Sequence, residues 1–203
     1  MAHRTVRAAA SHEEVVSGSR FIGYVVEVED VEAAAIHLAG VRAAHPAATH
    51  HCWAHRVGPA QRFSDDGEPG GTAGRPMLEV ILKRDLDHVS AVVVRYFGGR
   101  KLGAGGLVRA YSGTLAKALD AAGVRDVVDV AGVTVRAPFA HTDTVLRLLA
   151  DAAQKTAPFD LSAPTFDAGG LVVRLSVPEE ALAALSAALR EATNGAASLE
   201  VDV

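Results

Sequence analysis

The segment Arg100-Lys101-Leu102-Gly103-Ala104-Gly105-Gly106-Leu107-Val108-Arg109 joins glycines to fixed positive charge. Glycine lets a backbone approach a ligand closely and turn successive N–H groups into a concavity. A helix that starts at this point adds the positive end of its dipole. Arg100, Lys101 and Arg109, with Arg95 just upstream, supply full charges. The set Arg95, Arg100, Lys101, Gly103, Gly105, Gly106 and Arg109 is therefore a candidate anion or nucleic-acid site. No Gly-Lys-Ser/Thr closes the loop, so it is not a Walker loop and hydrolysis of that type is not expected. The same glycines also fit a tight strand-to-helix turn that binds nothing.

A second cluster, Asp65-Asp66-Gly67-Glu68, brings three carboxylates together. Hard cations take oxygen ligands, so Asp65, Asp66 and Glu68 could hold a divalent metal, although the spacing is not that of an EF-hand. The cluster could instead be a solvated turn in which Ser64 and Asp65 bond local backbone groups. In a third reading, its carboxylates pair with Arg75, Arg95 or Arg100 and brace the two loops against each other.

Histidines make the third candidate. In a strand over Thr49–Val57, alternation places His51, Trp53 and His55 on one face, with His50 and Cys52 on the other. Two histidines on one face could bind zinc or move protons, and Trp53 could stack a base. A Cys52–His51 nucleophile is disfavoured because neighbouring strand residues point to opposite faces. The plainer alternative is a core cysteine, a core tryptophan and histidines on a half-exposed sheet. With Thr72, the residues His51, Trp53 and His55 outline a possible cleft.

These residues need elements to hold them. Arg4–Arg7 and Ser19–Val28 read as strands joined by a turn at Ser17-Gly18. Asp30 suits the N-cap of a helix to about His45, stopped by Pro46. The stretch Gly58–Gly71 reads as a polar loop, after which Thr72 caps a helix running to Lys83. Val89–Phe97 is almost continuously apolar and predicts a strand buried on both faces. A helix follows from about Gly106 to Ala121 and stops at Gly123. Beyond it the pattern predicts strand Val130–Pro138, helix Thr142–Ala152, strands near Ala157–Leu161 and at Leu171–Val177, helix Glu179–Ala192 and strand Ser198–Val203. That βαββαβ order is the ferredoxin-like, split-βαβ pattern. The fold class is α+β, with one domain over residues 1–127 and another over residues 128–203.

Charge divides the chain at the same place. Residues 1–127 carry 15 Lys/Arg against 14 Asp/Glu, while residues 128–203 carry 5 against 10. Eight of nine histidines lie in the first part. The acidic second domain has no aromatic residue on Leu171–Val177, so a protein partner suits it better than RNA on its sheet. A single cysteine excludes an intrachain disulfide and a thiolate zinc cage. Met1–Ala10 lacks the apolar core of a signal peptide, and no run approaches the ~20 apolar residues of a membrane span. The expected location is cytoplasmic, with no membrane partner and no cofactor.

Two stretches carry a family resemblance: Ser64-Asp65-Asp66-Gly67-Glu68-Pro69-Gly70-Gly71-Thr72-Ala73-Gly74-Arg75-Pro76, and the segment from Val92 to Tyr111 containing Arg95-Tyr96-Phe97-Gly98-Gly99-Arg100-Lys101-Leu102-Gly103. Ser19-Arg20-Phe21-Ile22-Gly23 and His50-His51-Cys52-Trp53-Ala54 support it. Together they resemble the IMPACT/YigZ family in its bacterial two-domain form. The resemblance implies a first domain like domain IV of elongation factor G and a second like its domain V. It also implies an association with translational control and the stress response. Eukaryotic members inhibit activation of an amino-acid-starvation kinase by competing for its activator. They carry an additional N-terminal domain not expected here, so that partner is not carried over. The expected function is a non-catalytic, translation-associated regulator that binds RNA or the ribosome through the first domain. The alternative is an enzyme acting on a phosphorylated or nucleotide substrate between the Asp65–Thr72 and Gly98–Gly106 loops.

Overall fold

The structure is a computed structural model that describes residues 2–202. It divides into two compact units, one spanning His3–Val127 and the other built on the residues from Val128 onward. Both mix helices with antiparallel sheet.

The first unit runs β1 (His3–Val6), β2 (Ala10–Val16), β3 (Ser19–Glu27), α1 (Val31–Ala44), β4 (His50–Val57), β5 (Ala60–Ser64), α2 (Gly74–Lys83), β6 (Val89–Tyr96), α3 (Ala104–Ala122) and β7 (Val124–Val127). Its main sheet has the order β2-β3-β6-β4-β5. β6 is central because it is apolar on both sides. Val92 and Val94 join Val41 of α1 on one face, while Ala91 and Val93 pack with Met77 and Ile81 of α2 and Leu115 of α3 on the other. The sheet thus separates two cores, and alternate side chains of β4 and β6 fall to one or the other. Local signals agree with this arrangement. The Asp30 carboxylate accepts from the Ala33 N–H at 2.7 Å to cap α1, and Gly123, at φ 66°, ends α3.

Four strand assignments differ from the sequence reading. The Ser17-Gly18 turn joins β3 to β2, an edge strand hidden in the sequence by its polar residues Ser11 to Glu14. Both turn residues have positive φ, 50° and 84°, as a tight two-residue hairpin requires. β1 pairs instead with β7, a strand also missed, so residues 3–6 and 124–127 form a small separate sheet. The polar stretch after Gly58 holds β5, an edge strand paired only to β4. Edge strands need no second apolar face, so their composition reads as loop.

Helix starts also shift. Thr72 does not cap α2, because its hydroxyl donates to the Pro69 carbonyl at 2.7 Å. α3 begins at Ala104 rather than Gly106, which moves Ala104 and Gly105 from the loop into the helix's first turn.

The second unit runs β8 (Val130–Ala137), α4 (Thr142–Lys155), β9 (Asp160–Leu161), β10 (Thr165–Asp167), β11 (Gly170–Pro178), α5 (Leu182–Ala192) and β12 (Ser198–Val201). The order β10-β11-β8-β12, with β9 also on β11, puts the first and third strands of the pattern in the centre, as a split-βαβ connectivity does. The strand expected near Ala157–Leu161 shrinks to β9, β10 was not expected, and α5 starts after a short 3-10 turn at Glu179–Ala181. Phe166 on β10 is exposed and stacks on Phe139 at 6.1 Å, an aromatic pair that the sequence reading of the neighbouring strand did not register.

His55 shows what the layered sheet does to a titratable group. It lies on the α1 face, stacks on Trp53 at 4.4 Å and is 6% exposed, with Nδ1 lacking a hydrogen-bond partner. Burial pushes its pKa down to about 4. The unfolded chain therefore takes up the proton first, and the fold loses stability as pH falls from about 6.5 towards about 4. The loss from this residue is on the order of 2–3 kcal/mol. His55→Phe, which keeps the stack, is expected to flatten the pH dependence of urea unfolding in that window. A residual slope from His37 and His45, whose pKa values burial also lowers, should remain.

Candidate functional site

The centre of the first unit's signature loops is a buried charge pair. Arg95 ends the α2/α3-facing row of β6 and is 4% exposed. Its Nη1 donates to Glu68 Oε1 at 2.6 Å, and the Tyr111 hydroxyl of α3 donates to the same oxygen at 2.7 Å. Arg95 Nη2 lies 3.3 Å from Ser19 Oγ, which also accepts the Gly98 N–H at 3.2 Å. One network thus ties the acidic loop, the glycine loop, the β2–β3 hairpin and α3 together. Burial, reinforced by the Cys52 thiol and the Glu68 carboxylate, pushes the Tyr111 phenol far up, so it stays a donor.

The other carboxylates are committed elsewhere. Asp65 Oδ1 accepts the N–H groups of Ala73 and Gly74 at 2.9 and 2.8 Å, and Oδ2 accepts that of Gly71 at 2.8 Å. Asp65 therefore performs the capping expected of Thr72. Partial burial alone would raise its pKa, but the three donors outweigh it and hold the carboxyl below its ordinary value. Gly74 is required, since a Cβ would sit 2.6 Å from the Ser64 carbonyl oxygen. Asp66, in the left-handed region at φ 44°, bonds Arg42 Nη2 at 2.9 Å and the His51 N–H at 2.7 Å. Asp65, Asp66 and Glu68 thus point to three separate sets of partners. Among the described residues no three His, Cys, Asp or Glu side chains converge as metal ligands.

The possible cleft is not drawn together. His51 Nε2 donates to the His45 carbonyl at 3.0 Å, Trp53 and His55 stack in the α1-side layer, and Thr72 is buried against Pro69. Glu68 and Arg95 lie on the opposite side of the sheet, where Trp53 and His55 cannot reach them. Cys52 shares that opposite side, but burial first, and the nearby carboxylates next, push its thiol up to about 12. It stays protonated and donates to the Asp65 carbonyl at 3.0 Å.

The basic residues part company. Arg95 is spent on Glu68, whereas Arg100, Lys101 and Arg109 are exposed and have no partner among the described residues. They lie around the start of α3, where Gly103, at φ 71°, stands as N-cap without a side-chain cap. A Cβ on Gly106 would crowd Leu102, whose Cβ lies 3.0 Å away. Beside this helix start is an open depression of about 280 Å³ whose lining includes Ser17, Leu102, Gly106, Arg109 and Lys117. The sequence reading missed Ser19, Tyr111 and Phe97 as parts of the site. Tyr111 was masked by its place in the apolar stripe with Leu107 and Leu115.

The Impact N-terminal domain matches residues 17–119, which hold both loops and all of this network. The IMPACT family member YigZ of Escherichia coli (strain K12) is 35% identical over 191 residues, covering 92% of this chain and 91% of that protein. The chain belongs to the IMPACT family. Another family member, YvyE of Bacillus subtilis (strain 168), is 47% identical over 123 residues, 59% of this chain. That match spans 57% of YvyE's length, and the match to a Haemophilus influenzae family member likewise spans 57% of that relative. A crystal structure described as that of a hypothetical protein superposes with a TM-score of 0.64 at 31% identity, covering 100% of this chain and 98% of that one. No described helix is long and apolar enough to cross a membrane.

The buried pair makes a stability test. Arg95→Met leaves the Glu68 charge buried with the Tyr111 hydroxyl as its hydrogen-bond donor and His50 Nε2 at 3.9 Å, and is expected to cost about 3–5 kcal/mol in urea unfolding. The double variant Glu68→Leu/Arg95→Met removes both charges and should lose less than Arg95→Met alone.

Proposed function

We propose that this IMPACT-family protein is a non-catalytic, translation-associated regulator that binds RNA, free or in the ribosome, through the unit spanning His3–Val127. The observation that carries the reading is the trio Arg100, Lys101 and Arg109, exposed and unpaired around the uncapped start of the 19-residue helix α3. Free amides, a helix dipole and mobile cations are what a phosphate oxygen requires. The groups that catalysis would call on are held in other work: Cys52 is protonated, Glu68 is paired and Asp65 caps a helix. The likeness to domains IV and V of elongation factor G, a cytoplasmic location and a part in the stress response belong to the same reading. The acidic second unit suits a protein contact.

Lys101→Glu is expected to weaken ribosome cosedimentation and RNA binding across all sequences, because phosphate contacts position without specifying. The slope of log affinity against log salt should fall by ~0.7 to 0.9 for each phosphate no longer neutralised. Asp66→Ala, which releases Arg42 and the His51 N–H, should lower stability and leave the salt slope unchanged. Identical affinity and slope for Lys101→Glu and wild type would defeat the binding reading. Turnover of a phosphorylated small molecule, abolished by Asp66→Asn in a folded protein, would replace it with an enzyme.

A further inference from the structure

Phe97 is 49% exposed at the end of β6. One exposed phenylalanine is ordinary on a protein surface. What marks this one is how it is held. The Arg95 guanidinium carbon lies 5.4 Å from the Phe97 ring centroid and 5.5 Å from that of Phe21. Phe21 in turn takes the edge of Tyr111, with centroids 5.2 Å apart and planes at 89°. A ladder of Tyr111, Phe21, Arg95 and Phe97 therefore runs from the core to the surface, and its cation is fixed by Glu68 and Ser19.

The backbone is pinned as firmly as the ring. The Phe97 N–H donates to Thr49 Oγ1 at 3.1 Å and the next N–H to Ser19 Oγ at 3.2 Å. Gly98 presses so closely on the hairpin turn that a Cβ would stand 1.9 Å from the Gly18 carbonyl oxygen. One face of the Phe97 ring is taken by the guanidinium, and the residue still keeps about half of its surface in solvent. A rigid aromatic face costs little entropy to use.

From this geometry we infer that Phe97 is a stacking platform for an unpaired base, and that the RNA bound at this site is single-stranded. The inference rests on the RNA-binding reading of Arg100, Lys101 and Arg109. Base stacking on an aromatic ring beside a cationic groove is how single strands are held without sequence preference. In a duplex the bases are stacked on one another and present only their edges and the backbone. A protein partner fits less well. The residues after the ring are Gly98, Gly99, Arg100 and Lys101, all exposed, a run of glycine and cation unlike the apolar, charge-depleted core of a protein interface.

The test uses the full chain with a 12-nucleotide single-stranded oligouridylate, a blunt RNA duplex of the same length, and purified ribosomes. Phe97→Ala is expected to weaken single-strand binding roughly 5- to 100-fold. The salt slope and duplex affinity should not change, and Phe97→Trp should restore binding. A single strand carrying 2-aminopurine should be quenched by wild type and not by Phe97→Ala. If Phe97→Ala binds the single strand as wild type does while Lys101→Glu weakens it, the platform is wrong and the phosphate reading stands. Equal losses on duplex and single strand would also overturn the platform, since stacking discriminates between them. Weakened ribosome binding with unchanged oligonucleotide affinity would assign Phe97 to a protein contact and overturn it too. If neither variant changes any binding, both readings fall together.

Discussion

Glu68 and Arg95 meet inside the first unit at 2.6 Å, and neither charge has meaning without the other. An ion pair withdrawn from water gains little net stability over apolar residues of the same size, but a lone buried charge is costly. The pair therefore acts as a constraint. It holds the acidic loop to β6 and engages Tyr111 of α3 through the same carboxylate oxygen. Through Ser19 it also reaches the β2–β3 hairpin and the glycine loop. One interaction thus sets the acidic loop, the hairpin, α3 and the glycine loop that follows β6.

Around that constraint, close backbone contact replaces side-chain bulk. Gly98 against Gly18 and Gly74 against Ser64 leave no room for a Cβ. The glycines of the two signature stretches thus serve fit at these positions, while Gly103 serves a turn with positive φ. Asp65, Asp66 and Glu68 look alike as neighbours in sequence and do three different jobs: capping α2, bridging α1 to β4, and neutralising Arg95. A cluster of like charges is relieved when its members point apart towards separate donors.

The central sheet imposes the second limit. With α1 on one side and α2 and α3 on the other, alternate residues of β4 enter different cores. Cys52 and Ala54 go one way and Trp53 and His55 the other, so chemistry that needs members of both sets is blocked by a layer of backbone. The free cations escape this partition: Arg100 and Lys101 lie in the loop after β6, and Arg109 is an exposed residue of α3.

Much of this was legible in the sequence, and the limits have physical reasons. The apolar run Val89–Phe97, the Asp30 cap, the Gly123 stop and the split-βαβ order are local or periodic signals, and each appears in the structure, with the strand ending one residue earlier at Tyr96. The edge strands β2, β5 and β7 were not legible, since a strand with a solvated edge carries loop-like composition. Local composition marked the glycine loop and its cations as the place to look, and it identified the family. Only the tertiary structure decided which cation is free. Arg95 and Arg100 are the same residue type five positions apart, yet one is buried against a carboxylate 27 residues away and the other faces water. A side chain's availability depends on what folding brings beside it, and that partner lies outside any local window of sequence.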